Sequence, residues 1–281
     1  MCLGALGVAS ADSGSTISPV EHHAHAANAG WIDFRPDETN GVAFGDYFLS
    51  GKVYAANFGW IDFGDGTPVD GIRYHNDSAI DYGVNHDGSG NLFGYAYSAN
   101  IGWISFSWSA SSSDPDRPRV DLLTGAFTGF AYAANVGWLN LSGHLSTTRM
   151  SSIDSDFDGI ADAWEMATFG DLTQANSTSD YDHDGASDLQ EFLANTDAMN
   201  PDSRFRILFY SEGPLRNEAS LRFTVQPGRL YRVWDSPDLL AWNLLSQHGL
   251  FNVAGGFDTV QSHAVTAKRF FRVDVRKPLQ P

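Results

Sequence analysis

Two stretches of this chain repeat one acidic spacing. Asp154-Ser155-Asp156-Phe157-Asp158-Gly159-Ile160-Ala161-Asp162-Ala163-Trp164-Glu165 fits D-x-D-x-D-G-x-x-D-x-x-E, and Asp180-Tyr181-Asp182-His183-Asp184-Gly185-Ala186-Ser187-Asp188-Leu189-Gln190-Glu191 fits it again 26 residues later. Calcium takes about six to eight hard oxygen ligands, and this spacing wraps a chain around one ion. The first, third and fifth positions give side-chain oxygens, the seventh a backbone carbonyl and the twelfth a bidentate carboxylate, with Gly allowing the sharp turn. One ion is therefore expected on Asp154, Asp156, Asp158, Asp162, Glu165 and the Ile160 carbonyl. A second is expected on Asp180, Asp182, Asp184, Asp188, Glu191 and the Ala186 carbonyl. One such run alone is often a solvated acidic turn. Two full matches point to a bound cation, because residues 151–203 hold 13 acids and no Lys or Arg. Charges of one sign at that density repel, so the segment needs a cation to fold compactly.

Each loop runs into a short apolar stretch, Asp162–Phe169 and Asp188–Ala194, that predicts a helix. The segments ahead of them, 143–152 and 173–179, are polar and turn-like, so a helix–loop–helix sensor is not expected. EF-hand loops pair through a branched apolar residue at the eighth position; here Ala161 and Ser187 stand there, and Ile160 sits at the seventh. That departure fits another group. Asp156-Phe157-Asp158-Gly159-Ile160-Ala161-Asp162 and Asp182-His183-Asp184-Gly185-Ala186-Ser187-Asp188 resemble the bacterial thrombospondin type 3-like repeats, over residues 152–203 or about a fifth of the chain. They also look like dockerin-type loop–helix calcium units, although nothing marks a cohesin partner. The stretch from Asn195 to Ser203 is similar to the family's usual tail, while Ala186 replaces its usual apolar residue. The resemblance implies calcium as a structural ion in a secreted or cell-surface protein, and implies no reaction.

Upstream, four segments align on Asn-x-Gly-Trp, at 25–34, 54–63, 97–106 and 132–141, with Asn-to-Asn spacings of 29, 43 and 35. Tyr97-Ser98-Ala99-Asn100-Ile101-Gly102-Trp103-Ile104-Ser105-Phe106 shows the pattern. The last two copies match further upstream, from 84 and 120, which implies strand, Gly turn, strand, Asn-x-Gly turn and a third strand carrying Trp. By the period of two, Tyr95 and Tyr97, or Phe130 and Tyr132, share one face. Gly94 and Ala96, or Gly129 and Ala131, share the other. Stacked β-hairpin modules over residues 20–147 are expected, each burying its Trp and Tyr against the next, since repeats need neighbours to cover their faces. If exposed instead, these aromatics form a platform for sugar rings or another protein. The first copy reads as a worn terminal unit, with His23 and His25 where later copies carry aromatics. His22, His23 and His25 also suit a transition metal, but no Cys or convergent carboxylate accompanies them in the sequence, so no ion is assigned there.

The 281 residues carry 34 acids and 17 bases, a net charge of −17, with 42% hydrophobic residues. That is enough apolar area for packed cores, and the acidity argues against nucleic-acid partners. No apolar run is long enough to span a membrane as a helix. The start, Met1 to Val8 followed by Ala9-Ser10-Ala11, reads as the tail of a secretory signal peptide, and residues 1–19 as that remnant plus a linker. The sole cysteine, Cys2, lies inside it, so disulfides are not the staple. Residues 148–203 form the calcium-binding segment, and 204–281 predict six strands, 205–210, 219–225, 230–234, 242–245, 257–262 and 270–275, as a small β-sandwich. Leu230-Tyr231-Arg232-Val233-Trp234 and Phe270-Phe271-Arg272-Val273-Asp274-Val275 look like the paired ends of a β domain that often follows such calcium repeats in bacterial exported proteins.

No G-x-S-x-G, H-E-x-x-H, P-loop or G-x-G-x-x-G occurs. The fold class expected is mainly β: a stacked β-hairpin repeat domain, a small calcium-binding loop–helix segment and a C-terminal β-sandwich. The function expected is a non-enzymatic, secreted or cell-surface calcium-binding structural or adhesion protein. A protein or glycan partner and self-assembly stay open. The alternatives are a carbohydrate-binding module using the repeat aromatics, or an accessory domain of a hydrolase.

Overall fold

The computed structural model describes residues 14–280 apart from 38, 110, 112–113, 213–217, 250–255 and 264–268. The signal-peptide reading, with Cys2, falls on residues 1–13 and lies outside the described residues. The chain is mainly β and divides into two compact units, 1–174 with 279–281, and 175–278. The division falls between the two acidic loops, so the first belongs to the N-terminal unit and the second to the C-terminal unit. No helix among the described residues is long and apolar enough to cross a membrane.

Each Asn-x-Gly-Trp copy is the turn and outgoing strand of a hairpin. The first makes β1 (Ile17–Ala26) and β2 (Gly30–Asp33), so regular structure starts ahead of residue 20. Strand β3 (Val42–Phe44) precedes the second hairpin, β4 (Leu49–Ala55) and β5 (Gly59–Asp62). Strand β6 (Val84–His86) precedes the third, β7 (Leu92–Ser98) and β8 (Gly102–Ser105). The short pair β9 (Arg119–Val120) and β10 (Phe127–Thr128) precedes the fourth, β11 (Phe130–Ala133) and β12 (Gly137–Asn140), and β13 (Leu145–Thr147) follows. The hairpins pair side by side, β2 with β4, β5 with β7 and β8 with β11. Strand β12 then returns to β1, which closes eight antiparallel strands into a barrel. Closure leaves none of the eight as a free edge.

The motif's Asn has a second job besides the turn. Asn57 Nδ2 donates to the Ala29 carbonyl at 2.8 Å, Asn100 to Phe58 at 2.9 Å and Asn135 to Ile101 at 2.9 Å. Asn28 donates to Val136 at 3.2 Å, so the series closes on itself like the strands. The positive φ falls on the Gly of each turn, 78° to 82°, and not on the Asn. Asn57→Ala is expected to cost about 1 kcal/mol. In thermal unfolding that should read as a loss of about 2–4 °C.

Burial reverses the expected faces. Ala24, Val53, Ala96 and Ala131 point inward, each opposite a buried Ile32, Ile61, Ile104 or Leu139 on its partner strand. Phe34, Phe63 and Phe106 pack edge to face inside, at 5.3 and 5.5 Å. Trp31, Trp60, Trp103 and Trp138 are instead 54, 45, 47 and 47% exposed. The expectation that each module buries its Trp and Tyr is therefore corrected. An eight-stranded ring is only wide enough to be filled by its own side chains, and small residues against branched ones achieve that. The aromatics cover one another outside: Tyr54–Trp60, Tyr97–Trp103 and Tyr132–Trp138 lie 5.1, 4.9 and 4.9 Å apart.

Helix α1 (Asp162–Thr168) follows the first acidic loop and α2 (Asp188–Ala194) the second. Ser187 and Gln190 form a reciprocal capping box at the start of α2, and Asn195 ends it in the left-handed region. The C-terminal unit holds β14 (Ile207–Glu212), β15 (Glu218–Val225), β16 (Leu230–Ser236), β17 (Asn243–Gly249), β18 (Gly256–His263) and β19 (Phe270–Arg276). These form two three-stranded sheets, β14-β15-β18 and β17-β16-β19. Leu221, Phe223 and Val225 of one share an apolar cluster with Tyr231 and Val233 of the other.

Candidate functional site

The two acidic loops share one turn and three equivalent hydrogen bonds from backbone N–H groups. In the first, Asp154 accepts from the backbone N–H of Asp158 (3.2 Å) and Gly159 (2.9 Å), and Asp158 from that of Ile160 (2.8 Å). In the second, Asp180 accepts from Asp184 (3.2 Å) and Gly185 (3.0 Å), and Asp184 from Ala186 (2.8 Å). The fourth position is left-handed in both, Phe157 and His183 at φ 61°, and so is the glycine, at 96° and 94°. A non-glycine residue in that region is uncommon and costs strain. Finding the pair at one loop position shows that the same turn is imposed twice.

The first loop brings its five expected acids together in two overlapping groups. Oxygens of Asp154, Asp156 and Asp162 lie within 4.8 Å of one another, and so do those of Asp156, Asp158 and Glu165. Glu165 is 0% exposed, and neither of its carboxylate oxygens has a hydrogen-bond partner. Asp158 Oδ2 is likewise buried and unpartnered. Leaving such groups unmatched costs several kcal/mol, so they fit a cation better than they fit each other. Asp162 also accepts from the Ser155 N–H at 2.7 Å, which ties the loop's second position to its ninth.

The second loop is built on the same plan with more internal partners. Asp180, Asp182 and Asp184 converge within 4.8 Å, and Asp182 Oδ2, Asp184 Oδ2 and Glu191 Oε2 are buried without hydrogen bonds. Glu191 Oε1, however, accepts from Thr196 Oγ1 at 3.0 Å. Both oxygens of Asp188 are taken, by the Tyr181 N–H and by Ser179 Oγ, so this carboxylate holds the loop closed. Arg204 donates to the Asp184 carbonyl and brings Nε within 3.9 Å of its carboxylate. Thr196 and Arg204 escaped the sequence reading because each lies beyond the motif, and only the fold brings them back.

Burial and neighbouring acids set the proton affinity of both loops. Burial first, then Asp158, Asp156, Asp162 and Asp154, push Glu165 up to about 8 from 4.5. Burial, with Asp182, Asp184 and Asp188, pushes Glu191 up to about 7, against the pull of Thr196. Asp156, Asp158 and Asp182 are raised as well, chiefly by burial. A metal-free folded chain thus holds protons on these two glutamates that the unfolded chain has released above about 4.5. Stability therefore falls as pH rises from about 4.5 towards 7 and 8, where the unfolded state binds fewer protons. Thermal scans in chelator should show the melting temperature dropping across that window, and saturating calcium should flatten the drop by displacing the protons.

A third cluster sits on the barrel's outer face, where Asp33 of β2 meets His22 and His23 of β1. This is the convergent carboxylate that the sequence did not reveal, 11 residues along the chain. His25 faces Trp31 instead, at 5.1 Å. No family model, no curated protein and no solved structure matches the chain, so its reading rests on its own residues.

Proposed function

We propose that this chain is a non-enzymatic, exported structural or adhesion protein whose acidic loops are thrombospondin type 3-like calcium sites. The observation that carries this is the pair of equivalent loops, each ending in a buried carboxylate with an oxygen that no protein group satisfies. In this reading Asp154, Asp156, Asp158, Asp162, Glu165 and the Ile160 carbonyl hold one ion, and Asp162 also braces the loop through the Ser155 N–H. Asp180, Asp182, Asp184, Glu191 and the Ala186 carbonyl hold the other, with Asp188 as the brace. Calcium would neutralise the repulsion and rigidify both segments; extracellular calcium suits modules that bind at about 10⁻⁴–10⁻³ M. The Asn-x-Gly-Trp hairpins are the repeat domain, and the two C-terminal sheets are the sandwich.

Thermal unfolding in millimolar calcium, in millimolar magnesium and after chelation tests it. At calcium about 100 times the dissociation constant, each site adds about 2.7 kcal/mol. That is a rise of about 5–10 °C for the larger N-terminal unit and about 10–20 °C for the smaller C-terminal one. Identical melts in calcium and chelator would overturn the reading.

A second reading, a carbohydrate-binding module, is favoured by one observation: the four half-exposed Trp residues stand around the barrel wall. Tryptophan fluorescence on a glycan panel tests it. A shift with one glycan class that Trp60→Ala and Trp103→Ala abolish supports the module, and no shift across the panel removes it.

A further inference from the structure

The first hairpin carries a donor set of a different chemical kind from the calcium loops. The register of β1 against β13 slips between Ile17 and His22, and the rings of His22 and His23 come to lie 4.0 Å apart. Neighbours on a regular strand would point to opposite faces. Pairing of β1 with β2 sets His23 across from Asp33. His22 Nδ1 is then 2.6 Å from Asp33 Oδ1, and His23 Nε2 is 3.9 Å from Asp33 Oδ2. One ligand atom from each of the three lies within 4.8 Å of the others. The side chains are 23, 38 and 28% exposed, so solvent reaches them while the strands hold them. Asp33 Oδ1 is further fixed by the Arg35 N–H at 2.8 Å.

We propose that His22, His23 and Asp33 bind a borderline divalent transition-metal ion, of the zinc, nickel and copper class. Two imidazole nitrogens with one carboxylate suit such ions, whereas calcium wants oxygen throughout. Three protein ligands leave the remaining positions to water, and no reaction is assigned to the ion. The set is confined to one hairpin. The pair equivalent to His23 and Asp33 is Lys52 and Asp62, an ion pair at 3.7 Å, in the second hairpin. It is Tyr95 and Ser105 in the third, and Phe130 and Asn140 in the fourth. The first hairpin is thus specialised and not merely worn. Trp31 is a built-in reporter, with the His23, His25 and His144 rings 6.0, 5.1 and 5.6 Å from its own.

The test uses the full chain without a histidine tag, in saturating calcium so that the acidic loops are filled. Calorimetry with zinc should show one further ion per chain, and copper should bind more tightly than zinc. His23→Ala and Asp33→Asn should each weaken zinc about tenfold or more, while His25→Ala leaves the isotherm unchanged. Copper should quench tryptophan fluorescence, and Trp31→Phe should remove most of that quench. The proposal is overturned if zinc does not bind, or if it binds equally to the His23 and Asp33 variants, in which case the cluster is only an ion pair like Lys52–Asp62. Should a variant fail to fold, cobalt absorption of the unaltered chain decides, since absent ligand-field bands would also overturn the proposal.

Discussion

Glu165→Gln is expected to move the melting temperature in opposite directions with and without calcium. In the chelated protein this carboxylate is fully buried and has no hydrogen-bond partner, and burial first, then four crowding aspartates, push it up to about 8. At pH 8 the rise from 4.5 to about 8 costs the unaltered chain about 4 kcal/mol, at about 1.4 kcal/mol per tenfold change in proton affinity. The amide removes that cost but leaves its own buried hydrogen-bonding groups unmatched for about 2 kcal/mol, so the chelated variant should gain about 2 kcal/mol. At pH 4 the gain should vanish, because the carboxyl is neutral in the folded state and largely so in the unfolded one. In saturating calcium the same change deletes a charged ligand, and affinity at the first loop should fall about 100-fold, or about 2.7 kcal/mol. Thermal scans of both proteins at the two pH values, with calcium and with chelator, check the signs. A shift in one common direction would mean that the buried glutamate is not there for a cation.

Gly125→Ala is expected to be the most damaging small change in the barrel unit. Gly125 has φ +77°, and a Cβ there would stand 1.9 Å from the Thr147 carbonyl oxygen. Thr147 also donates its N–H to the Gly125 carbonyl at 2.8 Å, so the two backbones are held together from both sides. Left-handed backbone alone costs a residue with a Cβ about 1–2 kcal/mol. The clash is with backbone and has no flexible side chain to absorb it, so the total should reach about 4 kcal/mol. That corresponds to about 10 °C in the melting temperature. Gly143→Ala separates the two causes, since Gly143 has φ +95° with nothing within 4 Å of its Cβ position. It should lose only the backbone part. Equal losses at the two positions would show that close approach is not what requires Gly125.

Local features were legible and closure was not. The acidic loops, both helices and all six C-terminal strands follow from short-range spacing, and the structure puts each within a few residues of its expected place. The hairpin turns were legible for the same reason, since Gly at positive φ is a local requirement. Barrel closure depends on His25 and Ala26 meeting Asn140 and Leu139, more than a hundred residues apart, and no local pattern carries that. The period of two separated bulky from small faces correctly, but which face turns inward depends on the width of the closed ring. The interior took Ala and Ile and left Trp and Tyr outside. Asp33 was missed as a partner of His22 and His23 for a related reason: strand pairing, and not sequence proximity, brings it there.

The most direct measurement is a calorimetric calcium titration of the whole chain after exhaustive chelation, at pH 7.5, beside the Glu165→Gln variant. Two ions bound per chain, with proton release and with one of the two events lost or strongly weakened in the variant, is the predicted result. No calcium heat above dilution, or an isotherm the variant leaves unchanged, would contradict the assignment of these loops to a divalent cation.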